Sequence, residues 1–235
     1  MGKKKIVVLT GAGVSAESGI STFRDSNGLW ENYDPQEVAS IQGWYRNRQL
    51  LLDFYNMMRA NLAEVRPNSA HLDIAALEQR YDVQVITQNI DNLHERAGST
   101  RILHLHGELT KVRPEVGIYD ETYSEKEVFD IGYGAIHLGD KAPNGSQLRP
   151  HIVWFGEAVP KIERAIDIVS AADILLIVGS SLSVYPAAGL YRYVSGGAQI
   201  YLIDPKPVAV DDARVVQIRD TATAGMKKFI ELIEK

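Results

Sequence analysis

Cysteine is absent from the 235 residues of this chain. Disulfides, thiolate nucleophiles and cysteine-ligated zinc are therefore excluded by composition. Long apolar runs are missing too, and nothing approaches the roughly 20 apolar residues that a membrane-spanning helix needs. Lys3-Lys4-Lys5 leads straight into Ile6-Val7-Val8-Leu9, and so short an apolar run cannot form a signal-peptide core. It reads as a buried first strand, and a cytoplasmic location is expected. Basic charge is in deficit: 25 Lys and Arg against 30 Asp and Glu leave a net charge of −5. That disfavours nucleic acid, which needs a concentrated basic face, but tolerates basic peptide segments.

What remains has the balance of a soluble globular protein, with 45% hydrophobic and 23% charged residues, enough for one large domain with a smaller insertion. Buried strands alternate with amphipathic helices, the mark of a parallel α/β sheet. Ile6 to Thr10, Val83 to Thr87, Ile174 to Val178 and Gln199 to Ile203 read as strands. Residues 70–81 and 162–172 read as helices, the first with Ala70, Ile74, Leu77 and Tyr81 on one face. A last helix turns Met226, Phe229, Ile230 and Ile233 inward. Residues 26–68 look helical, and 108–150 irregular. The expectation is a Rossmann-like parallel sheet (1–25, 69–107 and 149–235) with a smaller discontinuous domain (26–68 and 108–148).

Gly11-Ala12-Gly13-Val14-Ser15-Ala16 fits G-x-G-x-x-A directly after a strand, the context of a dinucleotide-binding turn. Its glycines would admit a pyrophosphate, and amides at the helix start would bind it. Taken alone, the motif is equally compatible with a tight turn. A dehydrogenase would place a second strand ending in an acid about 20 residues later; here that region is the polar segment Ser21 to Trp30.

The whole of Gly11 to Arg24 resembles the signature of sirtuins, the NAD-dependent protein deacylases. Further similar motifs follow in order: Pro67-Asn68 with His71, Thr87-Gln88-Asn89-Ile90-Asp91-Asn92-Leu93-His94, His104-Leu105-His106-Gly107, Arg149 to Glu157, and Val178-Gly179-Ser180-Ser181. The resemblance covers nearly the full chain and fails mainly within 112–148. It implies NAD as co-substrate and acyl-lysine proteins or peptides as partners. Nicotinamide leaves, the acyl oxygen attacks the ribose, and a base deprotonates a ribose hydroxyl so that the sugar takes the acyl group.

His106 is implied as that base, since an imidazole titrates near neutrality, and Asn89 as its companion in catalysis. Packing on a strand is the other reading of His106, but its place at a strand's carboxyl end favours a ligand. His104 projects to the same side by the two-residue period and takes a supporting role. By the same resemblance Gln88 and Asn89 hold the nicotinamide ribose and Asp91 the carboxamide, although a capped loop would share this composition. Gly11, Ala12, Gly13, Ser15, Ala16, Ile90 and Ala222 join the cofactor-binding set. Phe23 covers the reacting ribose, Arg24 steadies the cofactor loop, and Gly179, Ser180 and Ser181 take the adenosine side. Asp204 is either a ribose-hydroxyl acceptor or a turn residue before Pro205. Val153, Phe155, Gly156 and Glu157 belong to a segment that either pairs with substrate by strand addition or forms a buried strand and a turn.

Two departures from the family stand out. Most sirtuins bind structural zinc through cysteine pairs in the region corresponding to 112–148. Here no zinc is expected, and Tyr119, Tyr123, Phe129 and Tyr133 are expected to supply apolar burial instead. The second departure concerns the acyl group. Tyr55 looks like the start of a Tyr-x-x-Arg pair that binds acidic acyl chains, but the arginine position holds Met58, with Arg59 next to it. Either Arg59 reaches an acidic acyl group, or Met58 lines an apolar pocket, or Arg59 is a solvated helix residue. Deacetylation is favoured. Mono-ADP-ribosyl transfer, preference for succinyl groups and non-catalytic NAD sensing are the competing readings.

Overall fold

The structure, a computed structural model, describes residues 2–22, 33–115 and 124–234. The chain begins with β1 (Lys5–Thr10), α1 (Gly13–Ala16), α2 (Pro35–Val38), α3 (Ile41–Arg46), α4 (Arg48–Glu64) and α5 (Ser69–Leu77). Then come β2 (Asp82–Thr87), α6 (Leu93–Ala97), β3 (Ile102–His104), β4 (Gly107–Pro114), β5 (Phe129–Asp130) and β6 (Leu148–Ile152). The chain continues with α7 (Ile162–Ser170), β7 (Ile174–Val178), β8 (Gln199–Ile203), β9 (Val215–Ile218) and α8 (Ala222–Ile233). No helix among the described residues is long and apolar enough to cross a membrane.

Six strands form one parallel sheet in the order β3-β2-β1-β7-β8-β9. The expected α/β sheet is present. Both faces are covered, as a parallel sheet requires, and the two-residue period of each strand divides its side chains between them. Val7 and Leu9 of β1 pack with Leu175 and Ile177 of β7 and Ala165 and Val169 of α7. Ile6 and Val8 turn the other way, towards Ala70 and Ile74 of α5 and Met226 and Phe229 of α8. Order reverses between β1 and β7, and ligands of open α/β sheets bind at such switch points, beyond the strands' carboxyl ends.

A smaller antiparallel sheet, β5-β4-β6, packs with α2 to α4 around a third apolar cluster that includes Trp44, Leu51, Phe54, Leu109, Val112 and Trp154. Region 108–150 is thus not wholly irregular. Its strands escaped a hydrophobicity pattern because they carry buried polar residues: Thr110 and Arg113 on β4, Arg149 and His151 on β6. β6 pairs with β4, so residues 149–152 lie with the smaller sheet and not, as expected, with the larger one. β9 was missed for the opposite reason: Val216 and Gln217 face solvent at the sheet's edge.

The proposed aromatic replacement for zinc does not take the expected form. Tyr119 and Tyr123 lie outside the described residues, while Phe129 and Tyr133 are 37% and 41% exposed. A buried ion cluster occupies this region instead. Glu157 receives Arg149 at 2.7 and 2.9 Å and Arg113 at 3.3 Å. The Arg149 guanidinium also sits 3.6 Å from the ring centroid of Trp154, close enough for a cation–π contact.

Candidate active site

Five strands of the large sheet end at one level. Thr10 is in register with Thr87 and Val178, Thr87 with His104, and Val178 with Ile203. The residues that follow these ends form the site.

The turn after β1 meets the turn after β7 almost backbone to backbone. A Cβ on Gly13 would lie 2.6 Å from the Gly179 Cα, and one on Gly179 would lie 2.3 Å from the Val14 nitrogen. Gly179 also has φ +61°, a region that side chains disfavour. Here the glycines are required by each other. The Gly13 N–H, expected to face a pyrophosphate, donates instead to the Gly179 carbonyl at 2.9 Å. Ala12 and Ala16 bracket the short α1, and the buried Ser15 hydroxyl points into the site.

The loop between β2 and α6 supplies most of the polar groups. Gln88 Nε2 donates to Ser180 Oγ at 3.0 Å, linking the ends of β2 and β7. Asn89 Nδ2 donates to the Gly11 carbonyl and to Ser15 Oγ, both at 3.2 Å. Ser15 Oγ donates in turn to Asp91 Oδ2 at 2.9 Å, while the Leu93 N–H reaches Asp91 Oδ1 at 3.0 Å. Burial pushes the Asp91 carboxyl up from its usual range, against these two hydrogen bonds and the charge of His104. The Ile90 carbonyl accepts from Leu109 N–H at 2.7 Å, joining the loop to β4.

Behind the loop, Asn68 caps α5 in a reciprocal box with His71 and donates from Nδ2 to the Val14 carbonyl. One residue thus starts a helix and fixes the glycine turn.

Beyond β3, His106 Nδ1 lies 3.0 Å from the Gln88 carbonyl. A carbonyl only accepts, so Nδ1 carries a proton and Nε2 presents a lone pair. Burial lowers the His106 pKa, opposed by that carbonyl, and keeps the ring neutral at ordinary pH. These are the protonation state and tautomer of a general base.

Other expected site residues are placed less directly. Ser181 Oγ donates to Ser183 Oγ at 3.3 Å. Asp204 follows β8 and its Oδ1 accepts the Lys206 N–H at 2.9 Å, which is the turn geometry. Ala222 opens α8, where the neighbouring Thr223 N–H donates to Glu17. Phe23 and Arg24 lie outside the described residues.

Three expectations for substrate contacts are corrected. Residues 153–157 form no strand; β6 ends at Ile152, and an isolated bridge pairs Phe155 with Ser40. The Val153 N–H donates to the His106 carbonyl at 2.9 Å, and Gly156 adopts φ +89° in the turn that follows. The Glu157 carboxylate is already held by Arg149, Arg113 and the Trp154 N–H. Arg59 is neither solvated nor aimed at a substrate: it is fully buried and donates to the Leu109 carbonyl at 2.7 Å, Asn56 Oδ1 at 2.6 Å and the Gly134 carbonyl at 3.3 Å. Only its Nη2 lacks a partner among the described residues. Tyr55 is buried with its hydroxyl accepting from Trp154 Nε1 at 2.9 Å, whereas Met58 is only partly buried.

Sequence reasoning also missed several supports. Asn56, Glu95 and Arg113 act through contacts with residues further along the chain, for which the local sequence carries no signal; Ser40 caps α3 by accepting the Gly43 N–H, a local signal that went unread.

A parallel sheet with glycine turns at its switch point, facing a second packed unit across polar loops, defines a nucleotide-binding α/β protein. The comparisons narrow that class. The Sir2 family model matches residues 11–186, and the chain belongs to that family. An NAD-dependent protein deacylase of Bacteroides thetaiotaomicron is 54% identical over 231 residues, covering 98% of each chain. A Sir2 homologue solved as an NAD complex is 36% identical with a TM-score of 0.84, covering 99% of this chain and 90% of the other. A Sir2 protein solved with a deacetylated p53 peptide and 3′-O-acetyl-ADP-ribose is 29% identical with a TM-score of 0.78, covering 98% and 94%.

Proposed function

We propose that the protein is an NAD-dependent protein-lysine deacylase, with acetyl-lysine its favoured substrate. Its products are nicotinamide, free lysine and O-acyl-ADP-ribose. The observation that carries this reading is the His106 geometry: a neutral, oriented imidazole whose Nδ1 is held by the Gln88 carbonyl, which leaves the Nε2 lone pair available. NAD supplies the leaving group and the ribose that accepts the acyl chain.

The chain's own groups suit that co-substrate. Gly11, Gly13 and Gly179 pack against one another with no room for a side chain, which holds the turns after β1 and β7 together at the switch point where a dinucleotide binds in such sheets. The Ser15 hydroxyl, the Asn89 amide and the buried Asp91 carboxyl form a connected polar patch that can orient a carboxamide and a ribose. Gln88 and Ser180 close its far side. His106 takes the ribose proton at Nε2 while Nδ1 remains fixed to Gln88. Acyl-lysine proteins of the cytoplasm are the substrates this reading implies, in keeping with the bacterial relative.

Mass spectrometry of an acetyl-lysine peptide incubated with NAD tests the proposal. Loss of the acetyl group with matching O-acetyl-ADP-ribose is the expected result. ADP-ribose attached to protein, with the acetyl group retained, would identify a transferase instead.

A further inference from the structure

The second histidine beyond the catalytic one sits in a setting of its own. His104, at the end of β3, is 5% exposed and has an acceptor at each ring nitrogen. Nδ1 lies 3.2 Å from the Asn89 carbonyl, and Nε2 lies 2.7 Å from Glu95 Oε1. A carbonyl and a carboxylate both accept, so the ring carries two protons and a positive charge. Two successive carbonyls of the site loop are thus held by alternate histidines: Gln88 by His106 and Asn89 by His104.

We infer that Glu95 and His104 form a positioning pair that keeps the Asn89 peptide, and with it the Asn89 and Asp91 side chains, in the arrangement that receives NAD. The inference rests on the deacylase reading and adds to it two residues that act through the loop. The charged groups around the ring support the doubly protonated state. Glu95 on α6 and Glu108 on β4 face it, and Asp91 lies in the loop; Lys111 of β4 is paired to Glu108 at 2.8 Å, and His94 of α6, kept neutral by burial and by the charges of His71 and His104, adds no competing charge. Burial alone would lower the His104 pKa, but the Glu95 bond and charge, with the Glu108 charge, outweigh it and raise it. Burial also opposes the charge on Glu95, and the bond from His104 again prevails and holds its pKa low.

The function of Glu95 follows from the protonation of the ring. Without its carboxylate the ring is neutral at higher pH: its single proton stays on Nδ1 for the Asn89 carbonyl, but the bond loses its charge assistance and Nε2 loses its anchor. The ring is then held less firmly, and the loop with it. Protonation of the ring at lower pH restores the charge-assisted donor whatever stands at position 95. A glutamine there restores the anchor, by donating to Nε2 while the proton stays on Nδ1.

The test uses Glu95→Ala and Glu95→Gln, at a side chain that is 40% exposed and whose loss leaves the core intact. Expected for Glu95→Ala is a fall of about tenfold in kcat/KM for NAD at pH 8.5 and of less than about threefold at pH 6, relative to the native protein at each pH. Glu95→Gln should stay within about twofold at both. Nitrogen NMR of the imidazoles should show His104 doubly protonated at pH 7.5 in the native protein. A singly protonated His104, or equal and pH-independent losses in both variants, would overturn the pair. Should the native protein release no nicotinamide with any acyl-lysine peptide, the deacylase reading fails. The imidazole spectra and the NAD dissociation constants of the variants would then decide the pair by themselves.

Discussion

The His106 ring and the Gln88 carbonyl are joined by a 3.0 Å hydrogen bond that fixes which nitrogen of the histidine is basic. The same contact connects the residues after β3 to the loop after β2, so the proposed base and the loop proposed to receive NAD are tied together. Removing the imidazole should therefore abolish chemistry and leave the binding surface. His106→Ala is expected to lower kcat by about 10²–10⁴ while NAD binding stays measurable by calorimetry. A variant with more than about half of native turnover would exclude His106 as the base.

The pH dependence follows from the same group. A base must be neutral to act, and burial lowers the His106 pKa below the ordinary imidazole value. Activity should thus persist as pH falls through 6.5 and be lost only below it. An acid limb in kcat centred above pH 7 would contradict this.

Much of the site was legible because the resemblance lies in short ordered motifs, each placed at a strand's carboxyl end. Gln88, Asn89, Asp91 and His106 follow β2 and β3, where a parallel sheet presents its ligands. The smaller unit was less legible. Arg113 and Arg149 lie on strands yet are buried, and no hydrophobicity pattern predicts a buried cation. Their partner Glu157 is distant from Arg113 in sequence, so local reading assigned it to substrate. Arg59 was misjudged for the same reason: its acceptors come from Leu109 and Gly134.

Glu157 gives a stability prediction. Burial raises its pKa, but Arg149 by hydrogen bond and charge, then the Trp154 N–H and Arg113, outweigh this and hold it below the usual value. A carboxylate with a depressed folded pKa contributes stability that is full above its unfolded pKa. That contribution is lost as pH falls through the folded value. The native melting temperature should therefore drop below about pH 4.5. Glu157→Gln, which leaves buried arginines uncompensated, should cost about 3–5 kcal/mol near neutrality and flatten that acid dependence. Strong chelators should leave the native melting temperature unchanged; one tightly bound zinc per chain by elemental analysis would refute this.

Arg59 separates structure from specificity. Arg59→Met would take the arginine donors from the Leu109 and Gly134 carbonyls in the interior, at about 1–3 kcal/mol for each group left unsatisfied, while the Asn56 amide oxygen keeps the Ile136 N–H. Release of a desolvated charge offsets part of this; burial has already lowered the arginine pKa to about 10. The net expectation is a loss of about 2 kcal/mol, read by chemical denaturation, with the ratio of desuccinylation to deacetylation unchanged. A selective loss of desuccinylation with native stability would return Arg59 to the acyl pocket.

Met58 is the remaining candidate for acyl choice. It lies on α4 one turn beyond Tyr55, and residues three apart share a helix face. Unlike Arg59 it is only partly buried, and as a thioether it has no charge with which to hold an acidic acyl chain. Met58→Arg would place a guanidinium at the spacing of the Tyr-x-x-Arg pair. A desolvated bidentate arginine–carboxylate contact is considerably stronger than an exposed ion pair. With Met58 on the pocket wall, kcat/KM of Met58→Arg for a succinyl-lysine peptide should rise about tenfold relative to its acetyl counterpart, a change of about 1.4 kcal/mol. The new cation should also depress deacetylation, because an acetyl group offers it no carboxylate. Comparing the two acyl forms of one peptide with native and variant protein measures both effects, and an unchanged ratio in a folded Met58→Arg protein would remove Met58 from the pocket wall.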